Sequence, residues 1–186
     1  GSNDHAGGAV LVKNSMDVNA LDNFQRCWEM KISHLEAAAL WEYMQDFQER
    51  MGRFNNNGTI LAEFLTEHYA VDFVYHPSLS TNSSYAEAKK LLKGNGGMVS
   101  FTLKDESENA LKKFYDREFS SIIKAPSIGS NLTLICPYTL LTNYFYTDEE
   151  LKEINLPRYL IRISAGCETE TERIIEDLDF ALKRTI

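Results

Sequence analysis

Arg162 stands inside an apolar run, "RYLIRISAG", residues 158–166. Strand side chains alternate between faces, so Tyr159, Ile161, Ile163 and Ala165 share one face, and Leu160, Arg162, Ser164 and Gly166 share the other. The first set is apolar and should meet a helical layer. The second combines a guanidinium, a hydroxyl and a glycine, a face shaped for something small and anionic. A guanidinium offers a rigid fork that matches a carboxylate through two parallel hydrogen bonds. An arginine in a strand also serves as a surface residue or as half of a salt bridge, and 27 acidic side chains offer partners.

A second stretch carries potential chemistry. "APSIGSNLTLICP" (125–137) gathers Ser, Gly, Ser, Asn and Thr into a turn before a strand. Such a loop can present N–H groups and hydroxyls to an anion, and it can equally be a polar loop with no ligand. Thiol chemistry is disfavoured. Cys167 follows Gly166 at a helix start, but Glu168, Glu170 and Glu172 oppose a thiolate there. Cys136 precedes Pro137 in a strand, and no histidine follows His76. The four histidines (His5, His34, His68, His76) lack the spacing of a metal site, so no metal ligand is assigned.

The elements that must position these residues follow from periodicity. Residues 7–14 read as a short strand with no earlier partner, so that the chain starts inside a larger fold. Gly1–Ser2 has the look of an expression scar. Residues 15–70 are helical in pattern, with Asp17 as N-cap of the first helix and a buried stripe around Leu35, Ala38, Ala39, Trp41 and Met44. The "NNNG" at 55–58 fits either a turn or polar positions on a continuing helix. From residue 71 strands alternate with helices. Strands are predicted at "VDFVYHP", "MVSFTLK", "SSIIKAPSIG", "LTLICPYT" and "RYLIRISAG". Helices are predicted within 81–97, at 106–119, at "DEELKEIN" and at "ETETERIIEDLDFALKRT". The fold class is α/β: a two-layer sandwich with a mixed or mostly antiparallel sheet of about four or five strands, preceded by long linker helices.

Composition bounds the partners. The chain has 186 residues, 44% hydrophobic and 25% charged, with a net charge of −8. That is the profile of a soluble globular protein. The acidic balance argues against nucleic acid and against anionic membranes. No apolar run reaches the roughly 18 residues of a spanning helix, and no signal peptide is visible. Three cysteines without a paired spacing point to a reducing, cytoplasmic setting.

"GGMVSFTL", the polar loop "SIGSNLTL", Pro137, "LIRISAGCE" and "IIEDLDFAL" occur in an order that resembles one family. This is the cystathionine gamma-synthase group of pyridoxal-phosphate enzymes, the sulfur amino-acid branch of fold type I. The resemblance covers nearly the whole chain, and "PYTLL" is most similar to a fungal-type subgroup. It implies that residues 1–14 are a scar plus a remnant strand of the large cofactor domain, 15–70 are interdomain linker helices, and 71–186 are the C-terminal small domain. It implies that Arg162 holds the substrate α-carboxylate and that Thr133, at a serine position of the family loop, assists it. Leu132 replaces that loop's acidic residue, and Ser130 replaces its second glycine. It implies pyridoxal 5'-phosphate in a full-length parent, with activated homoserine and cysteine as substrates, methionine biosynthesis as the setting, and a homo-oligomeric parent. Lys13 does not fit the position of the Schiff-base lysine. No catalytic residue is therefore assigned here, and the chain alone is expected to be inactive and to bind no cofactor. An O-acylhomoserine sulfhydrylase or a cystathionine lyase would use the same arginine. A non-catalytic amino-acid-binding or interaction module is the reading from another class.

Overall fold

A computed structural model describes Gly8 and Val10–Ile186. The chain divides into two units, one ending at Gln48 and one running from Glu49 to Ile186. In the first unit, α1 (Ser15–Cys27) begins after Asn14, which places Asp17 in the first turn rather than at the N-cap. A carboxylate there still favours the positive end of the helix dipole. Helix α2 (His34–Tyr43) is capped by Ser33 and Glu36 in a reciprocal box.

The buried stripe expected on α2 is not buried. Leu35 is 82% exposed, Trp41 69% and Met44 58%. Helical spacing sets which residues share a face, but burial also needs an apolar surface opposite. Gly8 and Val10–Asn14, from the strand expected over 7–14, do not join the sheet; the rest of that stretch lies outside the described residues.

Helix α3 (Phe47–Glu67), 21 residues long, runs straight through the "NNNG" segment, and all but its first two residues belong to the second unit. Phe54, Asn57, Gly58, Leu61, Ala62 and Leu65 are its buried positions, a three-and-four spacing that forms one face. Residues 49–67 thus group with the α/β unit, earlier in the chain than a boundary at residue 70.

Five strands follow: β1 (Val71–Tyr75), β2 (Met98–Leu103), β3 (Ile123–Lys124), β4 (Leu134–Pro137) and β5 (Ile161–Ser164). Their order in the sheet is β1-β2-β5-β4-β3. All neighbours are antiparallel except β3 and β4, so the sheet is mixed, as the sequence suggested.

Between the strands lie α4 (Tyr85–Leu91), α5 (Glu108–Tyr115), α6 (Tyr138–Thr142) and α7 (Asp148–Glu153), and α8 (Thr171–Leu182) follows β5. The core joins α3, α5 and α8 to one sheet face through residues such as Leu61, Phe101, Phe114, Ile135, Ile163 and Leu178. Helix α8 buries Thr171, Ile174, Asp177, Leu178, Ala181 and Leu182, again a single stripe. Helix α6 has no sequence signature, because five residues after a proline are too few for a period to show. It is tied down by the Thr139 hydroxyl, which donates to the Pro157 carbonyl (2.7 Å).

Candidate functional site

Register decides which residues meet Arg162. Ser100 of β2 and Cys136 of β4 lie directly opposite it on the two neighbouring strands. Paired residues point to the same side of a sheet, so Ser100, Cys136 and Arg162 share the face away from the core helices. Ile161 and Ile163 are fully buried on the other face, as alternation required.

The guanidinium is held mainly by backbone. Its Nη2 donates to the Pro126 carbonyl and to the Ser127 carbonyl (3.3 Å for the latter). It lies over the Tyr138 ring, 4.9 Å from the centroid. Tyr138 is fixed in turn by its N–H, which donates to the Leu160 carbonyl (2.9 Å). Nε of Arg162 is buried and has no hydrogen-bond partner among the described residues. No carboxylate among those residues forms an ion pair with it. Cys136 is 1% exposed, and burial pushes its thiol pKa up, against the pull of Arg162's charge and hydrogen bond. The thiol is thus neutral at neutral pH and leaves the positive charge uncompensated.

Residues 126–132 form a strap over this face. Its start is set by Ala125, whose N–H donates to the Ile135 carbonyl (3.1 Å). In its middle the Gly129 N–H donates to the Ser164 hydroxyl (3.2 Å). Its end is Thr133, 1% exposed. The Thr133 N–H donates to Glu168, and its hydroxyl donates to Glu168 Oε2 (3.0 Å) while accepting from the Gly166 N–H (2.9 Å). The one hydrogen of that hydroxyl is therefore engaged inside the protein. The strap residues that meet the guanidinium are Pro126 and Ser127, through their carbonyls, and not Thr133.

The turn after β5 is held from below by α3. Asn57, 4% exposed, donates to the carbonyls of Gly166 (3.0 Å) and Glu168 (2.9 Å) and accepts from the Thr171 hydroxyl (3.2 Å). Gly166 is needed for close approach: a Cβ there would lie 2.4 Å from the Asn131 carbonyl oxygen. Sequence reasoning missed Asn57 and gave Glu168 no role toward Thr133. The "NNNG" run was the available signal for Asn57, since polar residues inside a helical period often reach tertiary partners.

Other features are separate from Arg162. A groove of about 700 Å³ is lined by Tyr75, Thr102, Glu106, Asp148, Arg158 and Tyr159, among others. Its arginine is paired, since Arg158 meets Asp148 at 2.8 Å. Among the described residues, no group of three His, Cys, Asp or Glu could hold a metal ion, and no helix is long and apolar enough to cross a membrane.

Comparison with known proteins adds the family. The family described as Cys/Met metabolism PLP-dependent enzyme matches residues 1–183. Cystathionine gamma-synthase of Neurospora crassa is 33% identical over 184 residues, which cover 95% of this chain and 28% of that protein. L-methionine gamma-lyase of Fusobacterium nucleatum subsp. nucleatum is 34% identical over 149 residues, 80% of this chain and 37% of that protein. Cystathionine beta-lyase of Lactococcus lactis subsp. cremoris is 36% identical over 135 residues, 73% of this chain and 34% of that protein. The crystal structure of cystathionine gamma-synthase from Xanthomonas oryzae pv. oryzae, in complex with aminoacrylate and cysteine, superposes with a TM-score of 0.88 at 28% identity. It covers 100% of this chain and 47% of that one. The chain thus spans less than half the length of these relatives. Its sheet and helices are those of the small domain of fold type I pyridoxal-phosphate enzymes. The chain belongs to the Cys/Met metabolism family of enzymes, whose full-length members depend on pyridoxal phosphate.

Proposed function

We propose that this chain supplies the substrate α-carboxylate site of a transsulfuration enzyme of the cystathionine gamma-synthase type, with Arg162 as the receptor. The reaction is γ-replacement of an activated homoserine by cysteine, within methionine biosynthesis. The observation that carries the reading is a half-buried guanidinium whose buried Nε is unpaired, with no carboxylate ion-pair partner among the described residues. A charge held partly out of water is costly unless paired, and the guanidinium keeps an exposed edge, so the site is suited to an anion arriving from outside. Carbonyls hold Nη2 and the Tyr138 ring lies over the plane, so the fork is oriented before the carboxylate binds. Orientation of this kind fixes which bond of the substrate faces the reacting partner.

The outer face around Arg162 carries Tyr75, Met98, Ser100, Thr102, Cys136 and Ser164, and no lysine. These residues do not make a pyridoxal-phosphate cradle. Cofactor chemistry is therefore assigned to the rest of the full-length enzyme, and the chain alone is inactive on this reading. The three cysteines are free, in keeping with a cytoplasmic setting, and the enzyme is taken to be a homo-oligomer.

A second reading, a lyase acting on methionine or cystathionine, is supported by relatives of both kinds at 34–36% identity. Product analysis of the full-length enzyme with cysteine, sulfide or cystathionine separates the two. In that enzyme Arg162→Ala should cost about 2–5 kcal/mol in kcat/KM, the range of a lost charge-assisted fork, and Arg162→Lys should restore little of it. Unchanged kinetics in Arg162→Ala would refute the carboxylate role.

A further inference from the structure

We propose that Glu168 is a positioning residue for Arg162, acting through Thr133 and the 126–132 strap. The proposal rests on the carboxylate reading of Arg162 for its consequence and on geometry for its substance. The strap supplies the backbone acceptors of the guanidinium, the carbonyls of Pro126 and Ser127, beside the Tyr138 ring. A strap of this kind aims the side chain only if both of its ends are fixed.

One end is fixed by sheet pairing, where Ala125 and Ile123 donate to the carbonyls of Ile135 and Thr133 (3.1 and 3.0 Å). The other end, Thr133, gives its carbonyl to the same pairing, but its N–H and hydroxyl have no sheet partner. It is fixed by the Glu168 carboxylate, which accepts from both the N–H and the hydroxyl of Thr133. Hydrogen bonds to an ionised acceptor are roughly twice as strong as neutral ones, and two from one residue also set its orientation.

Glu168 is itself held. The carbonyl of Glu168 accepts from Asn57, and the N–H of Cys167 donates to the Asn131 carbonyl (2.7 Å). The close crossing of Asn131 over Gly166 leaves no slack between the strap and the turn after β5. A rigid helix, α3, thereby reaches Arg162 through Asn57, Glu168, Thr133 and the strap carbonyls. The Glu168 carboxylate is engaged by Thr133 and not by the guanidinium, so its effect on binding is indirect.

The test uses hydrogen exchange of the Arg162 Nε–H, a buried proton without an acceptor, followed by nitrogen-15 NMR of the 186-residue chain. In Glu168→Gln and in Thr133→Val this proton should exchange about tenfold faster, because the strap opens more often. Thr133→Ser, which keeps the hydroxyl, should exchange at the original rate. The core amides of Ile135 and Ile163 should not change. An unchanged Arg162 rate in Glu168→Gln and Thr133→Val overturns the proposal. Acceleration of the core amides by the same factor, or loss of folding, also overturns it, because Glu168 would then serve the stability of the whole unit.

A separate arm reads binding in the full-length enzyme. There Glu168→Gln should raise KM for the amino-acid substrate several-fold, while an analogue with a carboxamide in place of the α-carboxylate should be unaffected by the substitution. If the enzyme without substitutions already treats carboxylate and carboxamide alike, the carboxylate reading fails while the exchange result stands.

Discussion

Helix α3 contains two interior glycines whose replacement by alanine should act in opposite directions. Glycine inside a helix costs about 1 kcal/mol relative to alanine, through the freedom it has in the unfolded chain. At Gly52 a Cβ would meet nothing within 4 Å, so Gly52→Ala should stabilise by about 0.5–1 kcal/mol. At Gly58 the same Cβ would lie 2.3 Å from the Gly96 carbonyl oxygen and 2.9 Å from the Gly97 Cα. Both are backbone atoms, and ordinary carbon contacts begin near about 3.5 Å. Relief requires the 94–97 turn to move away from α3. That turn is bonded at Gly96, whose N–H donates to Asn55 Oδ1 (2.7 Å) and whose carbonyl faces His76 Nε2 (3.3 Å). Gly96 has a φ of 76°, a conformation that leaves the turn few alternatives. Overpacking costs about 1–3 kcal/mol and the two weakened hydrogen bonds about 1 kcal/mol each, against a helix gain of about 1 kcal/mol. Gly58→Ala should therefore destabilise by about 2–4 kcal/mol. Urea unfolding of both variants gives the answer as midpoint shifts at constant m. A neutral or stabilising Gly58→Ala would refute the contact geometry. The same sign for both variants would refute the argument that space, rather than helix propensity, decides at Gly58.

Asn57→Ala should destabilise by about 2–4 kcal/mol, because it leaves the Gly166 and Glu168 carbonyls and the Thr171 hydroxyl without a partner; a urea midpoint equal to that of the original chain would contradict this. His76 is buried, which holds its pKa below the ordinary value of about 6.5 even though Gly96 and Glu63 pull it up. The unfolded chain then takes up the proton first as pH falls, so this contribution to stability is complete above about pH 6.5 and declines as pH drops through the folded value. The urea midpoint should fall between pH 7.5 and 5.5, and His76→Gln should flatten that fall; an equally steep profile in the variant would show that His76 is not the cause. Burial also lowers the pKa of His68 against the pull of Asp179, so part of the slope should survive in that variant.

The β5 alternation was legible because strand parity depends on the backbone alone. Ile161 and Ile163 went inward and Arg162 outward without any tertiary information. Most pairs are antiparallel although helix-containing segments join β1 to β2 and β4 to β5; the short connection lies between β3 and β4, the one parallel pair, and the two-residue β3 falls within the strand expected at "SSIIKAPSIG". The α2 stripe was misread because periodicity reports amphipathicity and says nothing of what covers the apolar side. The asparagines of "NNNG" were ambiguous for a physical reason. Asparagine is a weak helix former, but Asn55 and Asn57 engage their amides with Gly96, Gly166 and Glu168, partners 41 to 111 residues away. Thr133 was paired with Arg162 on motif position, whereas the use of its hydroxyl is set by a glutamate 35 residues further on.

Sequence and structure meet on the question of why a cation is left open beneath a strap. A nearby acid would satisfy Arg162 at lower cost, and Glu168 lies in the turn that follows β5. Its carboxylate is instead turned to Thr133, whose N–H and hydroxyl both engage it. Thr133 thus occupies the acid that a sequence reading would offer as a partner, and the strap carbonyls supply only partial negative charge to the guanidinium. Partial compensation by carbonyl dipoles and an aromatic face stabilises a half-buried cation enough to fold, yet leaves room for a full negative charge to bind. The neutral Cys136 thiol adds to the same effect, since a thiolate opposite Arg162 would neutralise the site. An anion site of this kind depends less on the arginine alone than on keeping every internal carboxylate occupied elsewhere.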